Sequence, residues 1–221
     1  MFLGDYVILL GMKQLKHIFG SEPRVKIMRL FLFNDVTPYD IDEVAKRARI
    51  TKPVARKEIN ILYKVGFLKK KQYTKEIILK PLKKSKESRM SKKKVAGWMM
   101  NENFALINPL RTLLIESPLV STKDLISRFK GIGQVKMIVL SGIFMRDNMR
   151  LVDILIVGNK LKKKVIDKTV KNIEAEIGKE IRYALFEEKD FMYRMDMYDK
   201  LLRDVFDYKH HKVLDKFKIN L

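Results

Sequence analysis

The chain has 221 residues with 47 Lys and Arg against 26 Asp and Glu, a net charge of +21, and 47% of its residues are hydrophobic. That length and apolar content allow one large or two small domains with real cores. The absence of cysteine excludes disulfides and thiolate metal sites, and His17, His210 and His211 show no ligand spacing, so neither a metal nor a cofactor is expected.

Met1 to Gly11 is apolar, but it lacks a basic leading region, contains Asp5 and ends in no small-residue cleavage site. It is also shorter than the about 20 apolar residues that span a bilayer. It therefore reads as neither a signal peptide nor a membrane anchor, and a cytoplasmic location is expected. The natural start is expected at Met12, shortly ahead of Gly20-Ser21. Ser21 suits the N-cap of a helix running to about Phe33, with Ile27, Leu30, Phe31 and Phe33 or Asn34 bracketing its core side.

From Asp40 the pattern sharpens. Ile41, Val44, Ala45 and Ala48 recur at three- and four-residue steps, and so do Ala55, Ile59, Leu62 and Val65. Two short amphipathic helices are predicted across a turn at Arg49-Ile50-Thr51. Thr51 is placed to cap the second helix, Pro53 suits its first turn, and Gly66 suits a left-handed end. With Ala55, Ile59 and Leu62 inward, Lys52, Arg56, Lys57, Asn60 and Lys64 face out. These are the residue types that contact phosphates and base edges in a major groove.

Residues 68 to 94 hold twelve basic residues and only Glu76 and Glu87 as acids, so this stretch carries ten of the net positive charges. Phe67-Leu68, Ile77-Ile78-Leu79 and Val95 to Met100 read as strands, while Lys83 to Lys93 is polar and rich in Ser and Lys. A hairpin with a basic tip is predicted. Repulsion among so many lysines would disfavour a compact element, and a polyanion offsets it while releasing its own counterions.

Gly20-Ser21-Glu22-Pro23-Arg24-Val25-Lys26-Ile27-Met28-Arg29-Leu30-Phe31-Leu32, the helix pair and Val65-Gly66-Phe67-Leu68-Lys69 together resemble the winged helix-turn-helix of ArsR-type transcriptional regulators, over roughly Lys16 to Met100. The resemblance implies a DNA-binding domain over 12–102. Lys52, Arg56, Lys57, Asn60 and Lys64 would lie on the recognition helix, whose residues enter the major groove. Lys83, Lys84, Lys86, Lys92 and Lys93 would bind backbone or an adjacent minor groove from the wing. Arg49 departs from the glycine such turns often carry, and the chain has no cysteines with which to sense a metal.

A helix is expected over 103–118, with Leu106, Leu110, Leu113 and Leu114 at helical spacing and Pro118 as its stop. Such a helix would connect the halves and either pair two copies into a homodimer or bury itself against the next domain. Beyond it, helix at Thr122 to Lys130, strand at Val135 to Leu140, strand at Val152 to Val157, helix at Lys160 to Ile177 and strand at Ile181 to Phe186 indicate an α/β domain over 119–221. The fold class is thus α+β overall. Gly131-Ile132-Gly133 reads as a turn, and the tail from Glu188 reads as one or two helices covering the sheet.

Ser141-Gly142-Ile143 followed by Val152-Asp153-Ile154-Leu155 resembles the minimal nucleotidyltransferase family, which has a Gly-Ser turn after its first strand and an Asp-x-Asp pair on its second. Gly142 and Asp153 match that pattern. Ile143 stands in place of the serine and Leu151 in place of the first aspartate, and Tyr183 and Ala184 lie near where a third carboxylate would be. Nucleotidyl transfer needs clustered carboxylates to hold divalent metal, so a degenerate, inactive domain is expected. The sequence leads to a double-stranded-DNA-binding regulator with no membrane association. An active nucleotidyltransferase built around Asp153 and an RNA-binding module are the alternatives.

Overall fold

The computed structural model describes residues 12–79, 89–116 and 122–217. Residues 1–11 and the predicted contacts Lys83, Lys84 and Lys86 lie outside them. The protein is mixed α+β with two separate sheets. Among the described residues no helix is long and apolar enough to cross a membrane.

The N-terminal half comprises α1 (Met12–Phe19), α2 (Glu22–Phe33), α3 (Ile41–Ala48) and α4 (Lys52–Lys64), then a hairpin of β1 (Leu68–Leu79) and β2 (Arg89–Met100). Ser21 caps α2 as expected, its Oγ accepting the Arg24 N–H at 3.3 Å. Every residue from Ile27 to Leu32 is buried, so α2 shows no polar face. The reason is its position: α1, α3 and α4 pack around it on one side and the C-terminal half on the other. A helix enclosed on all sides is buried all round, and the one charge in this span, Arg29, is hydrogen-bonded inside the protein.

Asp40 and Glu43 form a reciprocal capping box at the start of α3. Arg49 ends α3 in the left-handed conformation at φ 53°. Thr51 sits at the expected start of α4, but its side chain makes no capping hydrogen bond. The hairpin runs in unbroken register from Leu68 opposite Met100 to Leu79 opposite Arg89. Tyr39 adds a short third strand beside β2, exchanging two 2.9 Å backbone hydrogen bonds with Trp98. Gly97 is what lets this segment close, because a Cβ there would lie 2.6 Å from the Tyr39 carbonyl oxygen.

The connecting helix starts four residues later than the expected 103, and residues 117 and 118 lie outside the described residues. It comprises α5 (Ile107–Arg111) and a π-helical turn over Thr112–Glu116. Pro109 explains the late start, since proline is tolerated only within the first turn. The predicted leucine stripe is split: Leu106 is 56% exposed, whereas Leu114 is buried against the N-terminal core.

The C-terminal half comprises α6 (Thr122–Arg128), β3 (Gln134–Leu140), a 3₁₀ turn (Gly142–Met145), β4 (Ile154–Asn159), α7 (Lys163–Ile177), β5 (Tyr183–Phe186), α8 (Glu188–Asp196), α9 (Lys200–Phe206) and β6 (His211–Asp215). The sheet order is β5-β4-β3-β6, with β3 antiparallel to both neighbours and β4 parallel to β5. Helices α6 and α7 cover one face, meeting Ile138, Ile154 and Ile156. Helices α8 and α9 cover the other, where Phe191, Leu202 and Val205 meet Val139, Leu155 and Val157. Burial on both faces is why β3 and β4 read as continuous apolar runs. The tail does supply two covering helices, but it also supplies β6, a strand absent from the sequence expectation.

The halves are docked through α2 and α7. Gly178 ends α7 at φ 86°, and a Cβ there would stand 2.4 Å from the Leu30 nitrogen. Asn34 Nδ2 donates to the Gly178 carbonyl at 3.0 Å. Arg29, fully buried, donates to the carbonyls of Leu114 at 2.9 Å and Glu176 at 3.1 Å. Burial lowers its pKa to about 10, against the opposing influence of Glu176.

Candidate nucleic-acid interface

The surface begins with how α4 is held. Ala55, Ile59 and Leu62 are buried in the N-terminal core, together with Glu58, the one acidic residue of the helix. Glu58 accepts from Ser21 Oγ and from Arg24 Nε, both at 2.8 Å, and Arg24 also donates to the Phe19 carbonyl at 2.8 Å. Its charge is thereby neutralised inside the protein, which leaves the outer face of α4 cationic.

All five predicted residues of α4 are exposed. Lys52, Arg56, Asn60 and Lys64 follow one another at four-residue steps, so they form a single ridge with about 6 Å of axial rise between neighbours. Lys57 flanks it. Lys52 is drawn to Asp42 at 2.9 Å, a surface pair worth little in water. Arg56, Lys57 and Lys64 form no ion pair among the described residues. Beside the ridge, Tyr63 is partly exposed and receives the Lys70 ammonium at 5.3 Å from its ring centroid, which ties β1 to the end of α4.

The hairpin sorts its own charges by strand alternation. Lys92 lies opposite Glu76 and Lys94 opposite Thr74, on the face that also carries Lys70. Lys93 lies opposite Lys75 on the other face. The structure therefore separates Lys92 from Lys93, which adjoin in sequence. Two directly opposed lysines repel, but Lys75 is not free: its ammonium lies 2.7 Å from Asp40 and 3.0 Å from Glu43. Burial lowers the Lys75 pKa, and these two carboxylates outweigh it and hold the group above its ordinary value. Tyr73 joins the same knot, donating to Glu43 at 2.5 Å, and burial together with that bond pushes the phenol above its ordinary range. Lys75 thus anchors the hairpin to α3. Its lysine-rich surroundings gave no sign of this, because both partners lie more than thirty residues away.

Comparison with protein-family models, with curated proteins and with solved structures finds no match to this chain. The reading of the surface rests on its geometry and charge.

The second set of predicted residues lies at the β3–β4 connection. Gly142 takes φ 52°, and a Cβ there would fall 2.0 Å from Asp153 Oδ1. Asp153 is 0% exposed. Its Oδ1 accepts from the Ile143 N–H at 2.9 Å and Arg182 Nη2 at 3.1 Å, and its Oδ2 accepts from the Arg182 N–H at 2.8 Å and Nε at 3.2 Å. Asp153 therefore clasps the turn after β3 to the residue leading into β5. Leu151 is exposed, and its N–H donates to Asp204 at 2.6 Å. Ile143 is buried, as is the neighbouring Ser141 hydroxyl, so the turn presents no hydroxyl outward. Tyr183 hydrogen-bonds Asp167, and that bond with burial raises the phenol pKa to about 12. Among the described residues no group of three or more His, Cys, Asp or Glu side chains is placed to hold a metal ion.

Proposed function

We propose that the protein is a DNA-binding transcriptional regulator. In this reading α3, α4 and the β1–β2 hairpin act as a winged helix-turn-helix of the ArsR type, and α4 enters the major groove of duplex DNA. The observation that carries it is the asymmetry of α4: its one carboxylate is buried against Ser21 and Arg24, while Arg56, Lys57 and Lys64 are exposed without ion partners among the described residues and Asn60 lies on the same ridge. A helix presenting Arg, Asn and Lys from one ridge has the donors that read base edges and phosphates. The Tyr39 strand beside β2 supports the reading, since it braces the base of the hairpin.

We infer that the C-terminal half is a nucleotidyltransferase-like fold retained without catalysis. Asp153 is enclosed by four hydrogen bonds and Leu151 offers no carboxylate, so these two positions cannot share a metal. Pairing of two copies through the exposed Leu106 beside α5 belongs to the same proposal. Sedimentation equilibrium showing only monomer at micromolar concentration would remove that part.

The test of the main reading is fluorescence anisotropy against a duplex from the region upstream of the coding sequence, a scrambled duplex and an RNA hairpin, each across a salt series. Tighter binding to the upstream duplex that survives physiological salt is expected. Equal binding to all three that collapses with salt would overturn sequence-specific regulation and leave a general polyanion surface.

A further inference from the structure

Where the halves meet, a cleft opens between α3 and α7. Its larger lobe, about 610 Å³, has a floor of Leu30, Ala48, Ala175 and Gly178. A second lobe of about 330 Å³ continues it, sharing Arg49 and Ala175. The larger lobe alone falls in the size range of small-molecule sites, about 300 to 1,000 Å³.

Seven cationic side chains line the two lobes against four carboxylates. Three of the carboxylates are already ion-paired, and the fourth, Glu174, is held by a backbone N–H. Glu43 holds Lys75 at 3.0 Å, Glu180 holds Arg47 at 3.0 Å, Glu176 holds Arg128 at 2.8 Å, and Glu174 accepts the Ile181 N–H at 2.9 Å. Lys46 near the end of α3, Arg49 in the turn and Lys171 on α7 form no ion pair among the described residues. Three cations from the two walls of one cleft are thus left facing solvent.

Arg49 adds an independent observation. It holds φ 53° and ψ 48° at a helix end where glycine is free of strain, and a non-glycine residue there costs about 1 kcal/mol. The strained residue is the one cation that lines both lobes, and local strain of this kind gathers at binding sites. No aromatic side chain lines either lobe among the described residues, so nothing there would stack a base. Recognition falls on the anionic groups themselves, for which an arginine fork is well shaped.

We propose that this cleft binds a small polyanion bearing two or more phosphate groups, held by Lys46 and Arg49 on one wall and Lys171 on the other. The site is independent of DNA contact by α4, and its test uses no nucleic acid. Isothermal titration calorimetry of the full chain with pyrophosphate at physiological ionic strength should give one saturable site. Arg49→Gly keeps the turn conformation and removes the strain, so its melting temperature should hold or rise while pyrophosphate binds at least about tenfold more weakly. Lys171→Gln, on the exposed face of α7, should weaken binding similarly. The Lys92→Ala, Lys93→Ala pair on the hairpin should bind like the wild type. Absence of a saturable site, or loss that follows the hairpin pair instead of Arg49 and Lys171, overturns the proposal. Citrate binding as tightly as pyrophosphate overturns the assignment to phosphate.

Discussion

Glu58 and Asp153 are both buried carboxylates held by an arginine, yet they have opposite consequences for the surfaces around them. On α4, enclosing Glu58 removes the only negative charge from a helix whose exposed Arg56, Lys57 and Lys64 form no ion pair among the described residues. At the β3–β4 connection, enclosing Asp153 commits both of its oxygens to Ile143 and Arg182. Satisfied carboxylates hold the structure in both places. Function has to be read from what remains unpaired among the described residues, and that lies on α4, the hairpin and the cleft between α3 and α7.

The strongest way to break this comparison is to remove Asp153. Asp153→Ala leaves the Ile143 and Arg182 N–H groups and a guanidinium without their acceptor, so unfolding in urea should show a loss of about 3 to 5 kcal/mol. If Asp153 were instead a ligand waiting for metal, neutralising it would leave stability unchanged or raise it. Glu58→Ala should cost about 2 kcal/mol by the same measurement, because Arg24 and Ser21 lose a shared partner that is less completely enclosed. An unchanged midpoint for Glu58→Ala would mean that α4 is positioned by its apolar face alone.

Next in size are the effects on binding. Arg56→Ala should weaken the preferred duplex by about 1 to 2 kcal/mol and relax its sequence preference without altering the melting temperature. Lys92→Ala should weaken all duplexes alike and reduce the salt slope by about one unit. Equal small effects from both substitutions would erase the distinction drawn between the ridge of α4 and the hairpin.

Much of this arrangement was legible in the sequence because it rests on local spacing. The helix pair is set by three- and four-residue apolar steps with Pro53 and Gly66 as punctuation, and β3 and β4 by apolar runs buried on both faces. The misses have physical causes. Helix α1 sets Met12, Leu15 and Phe19 against the core at helical spacing but over only two turns, and β6 buries Val213 alone of its five residues, so both signals are short. The expected connecting helix ignored Pro109, which bars an early start. The lack of a carboxylate at Leu151 could be read directly, but the role of Asp153 depends on Arg182, twenty-nine residues away. Lys75 likewise looked like one more wing lysine until Asp40 and Glu43 were brought to it, and Arg49 and Lys171 became neighbours only through the docking of α2 against α7.

The smallest predicted effect isolates the knot that ties the hairpin to α3. Burial raises the Asp40 pKa, but the Lys75 ammonium and the N–H groups of Glu43 and Asp42 outweigh it, so the carboxyl is held below its ordinary 3.8. A carboxyl depressed in the folded state contributes stability above its unfolded value, lost as pH falls through the lower folded one. Lys75, held above its ordinary 10.5, contributes below that value and loses its share as pH rises past it. The knot should therefore be intact from about pH 4 to pH 10. Asp40→Asn keeps a good N-cap for α3 while removing the charge that pairs with Lys75. In melts at neutral pH it should be less stable by about 1 kcal/mol, and the deficit should shrink as pH drops below 3.8 and the wild type loses the same charge. A deficit that stays constant down to pH 2 would trace to capping geometry, and the hairpin would then be held by Tyr73 and the Tyr39 strand without help from the ion pair.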